Sequence, residues 1–415
     1  MSARGAEYTR GVVPLPSPFH AQTAARCESL LYKDWAGYHS VRSYETCHER
    51  EYFALRESAG LIDVSPLFKY RFRGPDAAAA LDRLVTRKVR RAKIGSVLYT
   101  CWCDERGKIL DDGTVTRLAR DDFRVTSALP NLHWFEDVAY GLDVRIEDES
   151  PALGALSLQG PRARDILDEA SRGAVRTLKF FRHTRARIAG AEVEVTRTGY
   201  TGDLGYEVWV APDRAEQVYE AIAAAGRAYG LAPVGLDAMD VARLEAGFVL
   251  CGVDYVSARE AVIPSQLSSP FEVGLGWTVH LDEKKGPFVG RNALEREARE
   301  PSGWRLVGLA CEWSEIESLY ARFGLPPAVG SAAWRDGRPV YGSREGRQVG
   351  RATSGTWSPL LKKNIALATV LRELSEPGQR LYLEMTVEYE RHRVCARVVP
   401  LPFFDPPRKR ETPAA

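Results

Sequence analysis

No uncharged apolar run in this chain approaches the roughly 20 residues that a membrane-spanning helix needs; even the stretch from Ala246 to Val253 is halted by Asp254. The opening residues carry Pro14, Pro16 and Pro18 among several charges and offer no apolar core of signal-peptide length. Excess charge of one sign is missing too. Fifty-seven Lys and Arg face 55 Asp and Glu, a net charge of +2, which gives no sequence-wide field for nucleic acid or anionic lipid. The seven cysteines are an odd number scattered over 415 residues, not the dense framework of a small secreted domain. These absences lead to the expectation of a soluble cytoplasmic protein without nucleic-acid or membrane partners.

Several chemistries lack their patterns. The histidines are isolated, and His48-Glu49-Arg50-Glu51 has no second histidine at zincin spacing. Cys101-Trp102-Cys103 has no second cysteine pair, whereas a zinc site needs about four ligands, so no metal is expected. The glycine-rich segment at 197–207 is followed by neither Lys-Ser nor Lys-Thr and lacks the dinucleotide-binding order. Ser354 and Ser358 do not form Gly-x-Ser-x-Gly. No short repeat indicates a solenoid or propeller.

What remains is a folded, globular composition, with 45% hydrophobic and 27% charged residues. The length calls for two or three domains. Residues 1–24 read as an arm that packs on the body without building it, and 404–415 as a similar tail. Loosely helical spacing over Ser43–Ala59, stopped by Gly60, predicts a helix feeding a strand at Leu61–Val64. Asp76 is placed to cap a helix over Ala77–Leu84. Val97–Cys103, Ile109–Leu118 and Phe123–Ser127 read as an antiparallel meander. Strand and helix alternate from Ala155 to Gly230, followed by a helix over Asp237–Gly247 and a strand over Gly274–His280. From Trp304 onward, short β-like stretches predict an all-β C-terminal domain.

Two motifs carry candidate chemistry. Arg197-Thr-Gly-Tyr200-Thr-Gly202-Asp203-Leu-Gly205-Tyr206-Glu207 sets three glycines at a spacing of three, so its backbone either turns tightly or approaches something closely. Glu207 stands at the mouth of the apolar run Val208–Val210, where a carboxylate can accept paired hydrogen bonds from a flat N–H edge or simply be solvated. Asp111-Asp112-Gly113 follows Ile109-Leu110. On a strand its carboxylates point to opposite faces, one to water and one to a cavity, although an Asp-Gly turn fits as well.

In order along the chain come Asp34-Trp-Ala-Gly-Tyr38, Gly60-Leu-Ile-Asp63-Val-Ser65, Tyr99 ahead of Ile109-Leu-Asp-Asp112, and Leu158-Gln-Gly160-Pro161. After the glycine-rich segment follow Arg243-Leu-Glu-Ala246-Gly, Pro270-Phe-Glu-Val-Gly274-Leu-Gly-Trp277, Phe288-Val-Gly290-Arg291 and Thr353-Ser-Gly355-Thr-Trp-Ser-Pro359. From about Tyr32 to Pro402 the sequence thereby resembles the aminomethyltransferase (glycine cleavage T-protein) family, which includes folate-dependent demethylases.

The resemblance implies an α+β fold: a three-domain cloverleaf with antiparallel sheets flanked by helices and a C-terminal all-β, jelly-roll-like domain. The implied divisions are 25–65 with 155–255 for a discontinuous folate-binding domain, 66–154 with 256–300 for the second, and 301–403 for the third. It implies tetrahydrofolate as cofactor, Asp112 as the catalytic aspartate and Glu207 as the pterin-binding carboxylate. Tyr99, Tyr200 and Trp277 would line the channel, with Ser127 and Met239 beside the ligand.

Three positions depart from the glycine-cleavage pattern. Met239 replaces an arginine, Ser127 an asparagine, and Pro66 a histidine. The departures point to a small N-, O- or S-methylated metabolite as the one-carbon donor in place of a lipoylated carrier protein. True aminomethyl transfer and folate binding without chemistry are the alternatives, the latter ranked last because the Lys-Gly-Cys-Tyr-Thr-Gly-Gln signature of the iron–sulfur assembly relatives is absent.

Overall fold

The computed structural model describes residues 13–412, and three sheets organise them, alongside a short hairpin of Leu31–Trp35 with Tyr38–Ser43. The first sheet has the strand order His183–Ile188, Ala191–Thr196, Gly205–Val210, Gly154–Gln159, Ala59–Asp63, Leu231–Pro233. Its pairings are antiparallel except the last. Alternation along the strands decides what each face buries. Leu156, Leu158, Tyr206, Val208 and Val210 pack under the helices Ala163–Ala170 and Ala215–Gly226. Ile62, Ala155 and Trp209 pack the other way, with the helices Glu49–Glu57 and Leu236–Glu245. A period of two therefore puts Glu207 on the face of Trp209, away from the larger core.

The second sheet runs Val97–Cys103, Ile109–Ala119, Asp122–Ser127, Phe68–Arg73, Arg145–Asp148, antiparallel throughout. The helices Ala77–Leu84 and Leu132–Ala139 cover one face through Leu81, Leu84 and Phe135, packed on Tyr70, Phe72, Trp102 and Val125. Trp304–Cys311, Lys363–Leu371, Gln348–Ser358, Arg338–Tyr341, Arg380–Val387 and Glu390–Val399 close into an antiparallel barrel. The jelly-roll-like expectation thus takes the form of a single closed six-stranded sheet, plugged by Ile316, Leu319 and Tyr320 of the helix Trp313–Ala321.

Four local expectations need correction. The first helix spans only Glu49–Glu57, and Gly60 lies inside the strand Ala59–Asp63. Its missing side chain admits Val234 and Leu55, whose methyls would stand 2.5 and 2.6 Å from a Cβ there. Asp76 precedes the helix Ala77–Leu84 but spends its carboxylate on the Asp143 N–H at 2.9 Å. Gly274–His280 is not a strand: Gly274 adopts φ +76°, and a single 3-10 turn, Gly276–Thr278, follows.

The fourth concerns the ends. Residues 1–12 of the expected arm and 413–415 of the tail lie outside the described residues. In the described part of the arm, Phe19 is fully buried in the core of the first sheet, so this segment helps build the body. A lone aromatic without periodic neighbours gives no pattern from which to read that role.

Candidate active site

Side chains from all three sheets border one cavity of about 1420 Å³. Tyr99, Asp112, Ser127, Tyr200, Glu207, Met239 and Trp277 all lie on its wall.

Asp112 reaches it through an irregularity in the second sheet. Cys101 pairs with Asp112 and Trp102 with Asp111, but Cys103 pairs with Ile109. Leu110 is the extra residue of a β-bulge, which re-phases the side chains beyond it. Asp112 consequently joins the Tyr99 and Cys101 face, and Asp111 the helix-covered face of Trp102. Neither carboxylate of the pair takes the water-facing position expected for one of them. Asp111 is fully buried, receiving the N–H of Leu129 and the Nδ2 of Asn131, both at 2.9 Å. Gly113 holds the next position because a Cβ there would stand 1.8 Å from the Thr126 carbonyl oxygen.

The Asp112 carboxylate is held at both ends. Tyr99 Oη donates to Oδ2 at 2.6 Å, and Tyr255 Oη donates to Oδ1. Burial raises its pKa, and the two phenol bonds pull the other way without cancelling that rise. Burial pushes Asp111 up as well, with the neighbouring Asp112 charge adding to it. Two adjacent carboxyls in this setting share their protons as a pair.

Glu207 is the second carboxylate on the wall. Thr198 Oγ1 at 2.7 Å and Thr196 Oγ1 at 3.3 Å both donate to its Oε2. Among the described residues none donates to Oε1. Burial raises this carboxyl, and the two threonine bonds only partly offset the effect. The glycine-rich segment is held by close approach: a Cβ on Gly199 or Gly205 would lie 2.0 Å from Gln159 Oε1, and one on Gly202 2.5 Å from the Ala246 Cβ.

Aromatic faces complete the wall. Tyr200 donates to the Val249 carbonyl at 2.6 Å and stacks on Phe248 at 5.7 Å. Trp277, 57% exposed, stacks on Tyr99 at 5.9 Å under the Arg87 guanidinium. Ser127 spends its hydroxyl on the Leu129 carbonyl at 2.8 Å. Met239 packs with the apolar cluster of Ile62, Val64 and Trp209.

Sequence reasoning missed Tyr255 and Arg335. Arg335 donates to Asp240 at 2.7 Å, one residue beyond Met239, and Arg243 binds the same carboxylate at 2.7 Å. Burial favours protonation of Asp240, yet the two guanidiniums hold it below the usual carboxylate range. The barrel side of the cavity thus carries a cation next to the position where the resemblance implied an arginine. No spacing links either residue to the site, since both arrive by tertiary packing.

The family model described as the GCVT N-terminal domain matches residues 17–283, and that of the glycine cleavage T-protein C-terminal barrel domain matches 322–405. The chain belongs to the GCVT family. An aminomethyltransferase of Halothermothrix orenii is 35% identical over 85% of this chain and 90% of its own length. A trimethylamine-oxide aldolase of Ruegeria pomeroyi is 36% identical over 94% of this chain. Of that relative this GCVT protein spans only about half the length, 47%. The crystal structure of the glycine cleavage aminomethyltransferase T of Bartonella henselae shares the fold, with a TM-score of 0.79, 24% identity, and coverage of 94% of this chain and 98% of its own. The family includes aminomethyltransferases, and the chain is an enzyme of the GCVT class. Among the described residues no helix is long and apolar enough to cross a membrane.

Proposed function

We propose that this chain transfers a one-carbon group from a small methylated metabolite onto tetrahydrofolate. The observation that carries the reading is the placement of two half-buried, differently held carboxylates, Asp112 and Glu207, on the wall of one aromatic-lined cavity.

The residues present fit the cofactor. Half-buried Glu207 has, among the described residues, an oxygen without a donor, which suits the paired N–H edge of a pterin. Tyr99, Tyr200 and Trp277 offer flat faces for a fused heterocycle, with Ser127 and Met239 beside them. Bound tetrahydrofolate supplies the nitrogen that accepts the carbon. Asp112 orients the reacting groups and holds or receives a proton at its carboxylate, steadied by Tyr99. The enclosing sheets restrict water.

Isothermal titration with tetrahydrofolate, followed by turnover assays with methylated amines, aryl ethers and sulfonium compounds, tests this reading. Asp112→Asn keeps folate binding and loses turnover. A wild-type protein that does not bind tetrahydrofolate, or an Asp112→Asn variant of unchanged rate, overturns it.

The similarity to half of a trimethylamine-oxide aldolase favours a second, narrower reading. Here the donor is an N-methylated amine or amine oxide, and a catalytic unit outside the matched region performs the cleavage that releases a one-carbon aldehyde. Tetrahydrofolate-dependent consumption of formaldehyde without any methylated donor distinguishes it. Ammonia release with a lipoylated carrier protein would instead mark true aminomethyl transfer.

A further inference from the structure

Asp112 sits half-buried on the cavity wall with a phenol on each oxygen, and only one of those phenols comes from its own sheet. Tyr99 lies on the neighbouring strand Val97–Cys103, whereas Tyr255 arrives from the loop after the helix Leu236–Glu245. The loop is pinned. Asp254, fully buried at its side chain, receives Arg243 Nη1 at 2.5 Å, the Leu250 N–H at 2.9 Å, and the hydroxyls of Thr353 and Ser354 at 2.6 Å each. Thr353 and Ser354 belong to the barrel strand Gln348–Ser358. Gly252 N–H closes the loop onto the Tyr255 carbonyl at 2.8 Å. The barrel therefore sets where the Tyr255 hydroxyl stands.

We infer that Tyr255 is a positioning residue for the transfer: its phenol, opposed to that of Tyr99, clamps Asp112 so that the carboxylate keeps one orientation. The inference rests on the proposed role of Asp112. A carboxylate gripped at one oxygen only can swing about its Cβ–Cγ bond, and one gripped at both cannot. Each phenol bond also favours the ionised form over the protonated form.

The ionisable groups facing this pair come from every element packed on it. They are Asp111 on the same strand, Tyr99 and Cys101 on the neighbouring strand, Tyr200 from the glycine-rich segment, and Cys251 with Tyr255 from the loop. Arg259 stands behind Asp111, bound to Asn131. Burial and the Asp112 charge raise the phenols of Tyr99 and Tyr255 well above the ordinary tyrosine value. Both therefore stay hydroxyl donors across the neutral range.

The test is an infrared titration of the Asp112 carboxyl in the full-length protein, isolated by subtracting Asp112→Asn spectra. It needs neither folate nor donor. Tyr255→Phe keeps the ring in its apolar cluster and is expected to move the Asp112 midpoint up by roughly one pH unit, with the acidic limb of the transfer rate moving in step. A ring-fluorinated tyrosine at 255, a stronger donor, is expected to move the midpoint down, a displacement that loss of packing would not produce. A midpoint unchanged in both variants overturns the inference. Should Tyr255→Phe fail to fold, the fluorinated protein decides alone. Absence of any tetrahydrofolate-dependent turnover in the wild type, with the midpoint shifts intact, sinks the proposed function and leaves the clamp standing.

Discussion

Arg408, in the last stretch of the chain, forms a two-point ion pair with Asp203 in the glycine-rich turn, Nε to Oδ1 and Nη2 to Oδ2 at 2.7 Å each. Asp203 is wholly buried at its side chain, and its other cation, Arg56, lies 3.8 Å away. Arg197 grips the same tail, donating to the carbonyls of Arg408, Lys409 and Glu411 at 3.3, 3.2 and 2.5 Å. The C-terminal segment is thus a structural strap across the turn that leads to Glu207.

Arg408→Ala should accordingly destabilise the protein. Removing one partner of a buried carboxylate costs about 3–5 kcal/mol in full burial, and the 40% exposure of Arg408 with the remaining Arg56 reduces this to about 1–3 kcal/mol. Urea unfolding checks it, and a midpoint equal to wild type would show that the strap is ornamental.

The strap also illustrates what the chain discloses in one dimension. Strands of the second sheet were legible, with Val97–Cys103 read to the residue, because apolar alternation and Asp-rich turns are local signals. The glycine-rich segment was legible as either a tight turn or a close approach, but the neighbour that decides between them, Gln159, was not, since that contact is made across the sheet. The seven proposed site residues share one wall. Tyr255, Arg335 and the Leu110 bulge stayed hidden because each depends on register or packing between elements far apart in sequence.

Acid should weaken the junction between the first two sheets. Glu194 receives Arg124 Nη1 at 2.7 Å and contacts His183 Nε2 at 3.1 Å. Burial opposes ionisation, but the His183 bond and the Arg124 charge hold the carboxyl well below its ordinary range. The unfolded chain then takes up this proton first as pH falls. The stabilisation is full above about pH 5 and drains away as pH drops through the depressed folded value. Glu194→Gln should cost about 2 kcal/mol at pH 7, and the gap to wild type should close in strong acid. A gap independent of pH would assign the effect to packing.

Glu207→Gln tests the proposed cofactor contact. The amide oxygen can still accept from Thr198, but the opposite atom becomes a donor facing the ligand's donors. Tetrahydrofolate affinity should fall roughly 10- to 100-fold, the usual scale for a charged hydrogen bond, with the thermal unfolding of the free protein little changed. Equal affinity by titration calorimetry would remove Glu207 from the binding site.

Gly205→Ala asks why the glycine-rich turn is glycine-rich. Gly205 has no left-handed φ, so conformational freedom does not explain it. The reason is Gln159, whose amide passes beside Gly199 and Gly205. It donates to Ser157 at 2.9 Å and to the Thr198 carbonyl at 3.2 Å, and accepts from Thr201 at 2.9 Å. An added methyl at 205 must displace that amide and unmake these bonds. Overpacking plus the stranded polar groups should cost about 2–5 kcal/mol, and the moved Thr198 should weaken its hold on Glu207. A double-mutant cycle isolates the cause. If close approach is the reason, Gln159→Ala opens the space and Gly205→Ala becomes nearly harmless in that background. If the alanine is as costly there as in wild type, the glycine serves the backbone and not the neighbour.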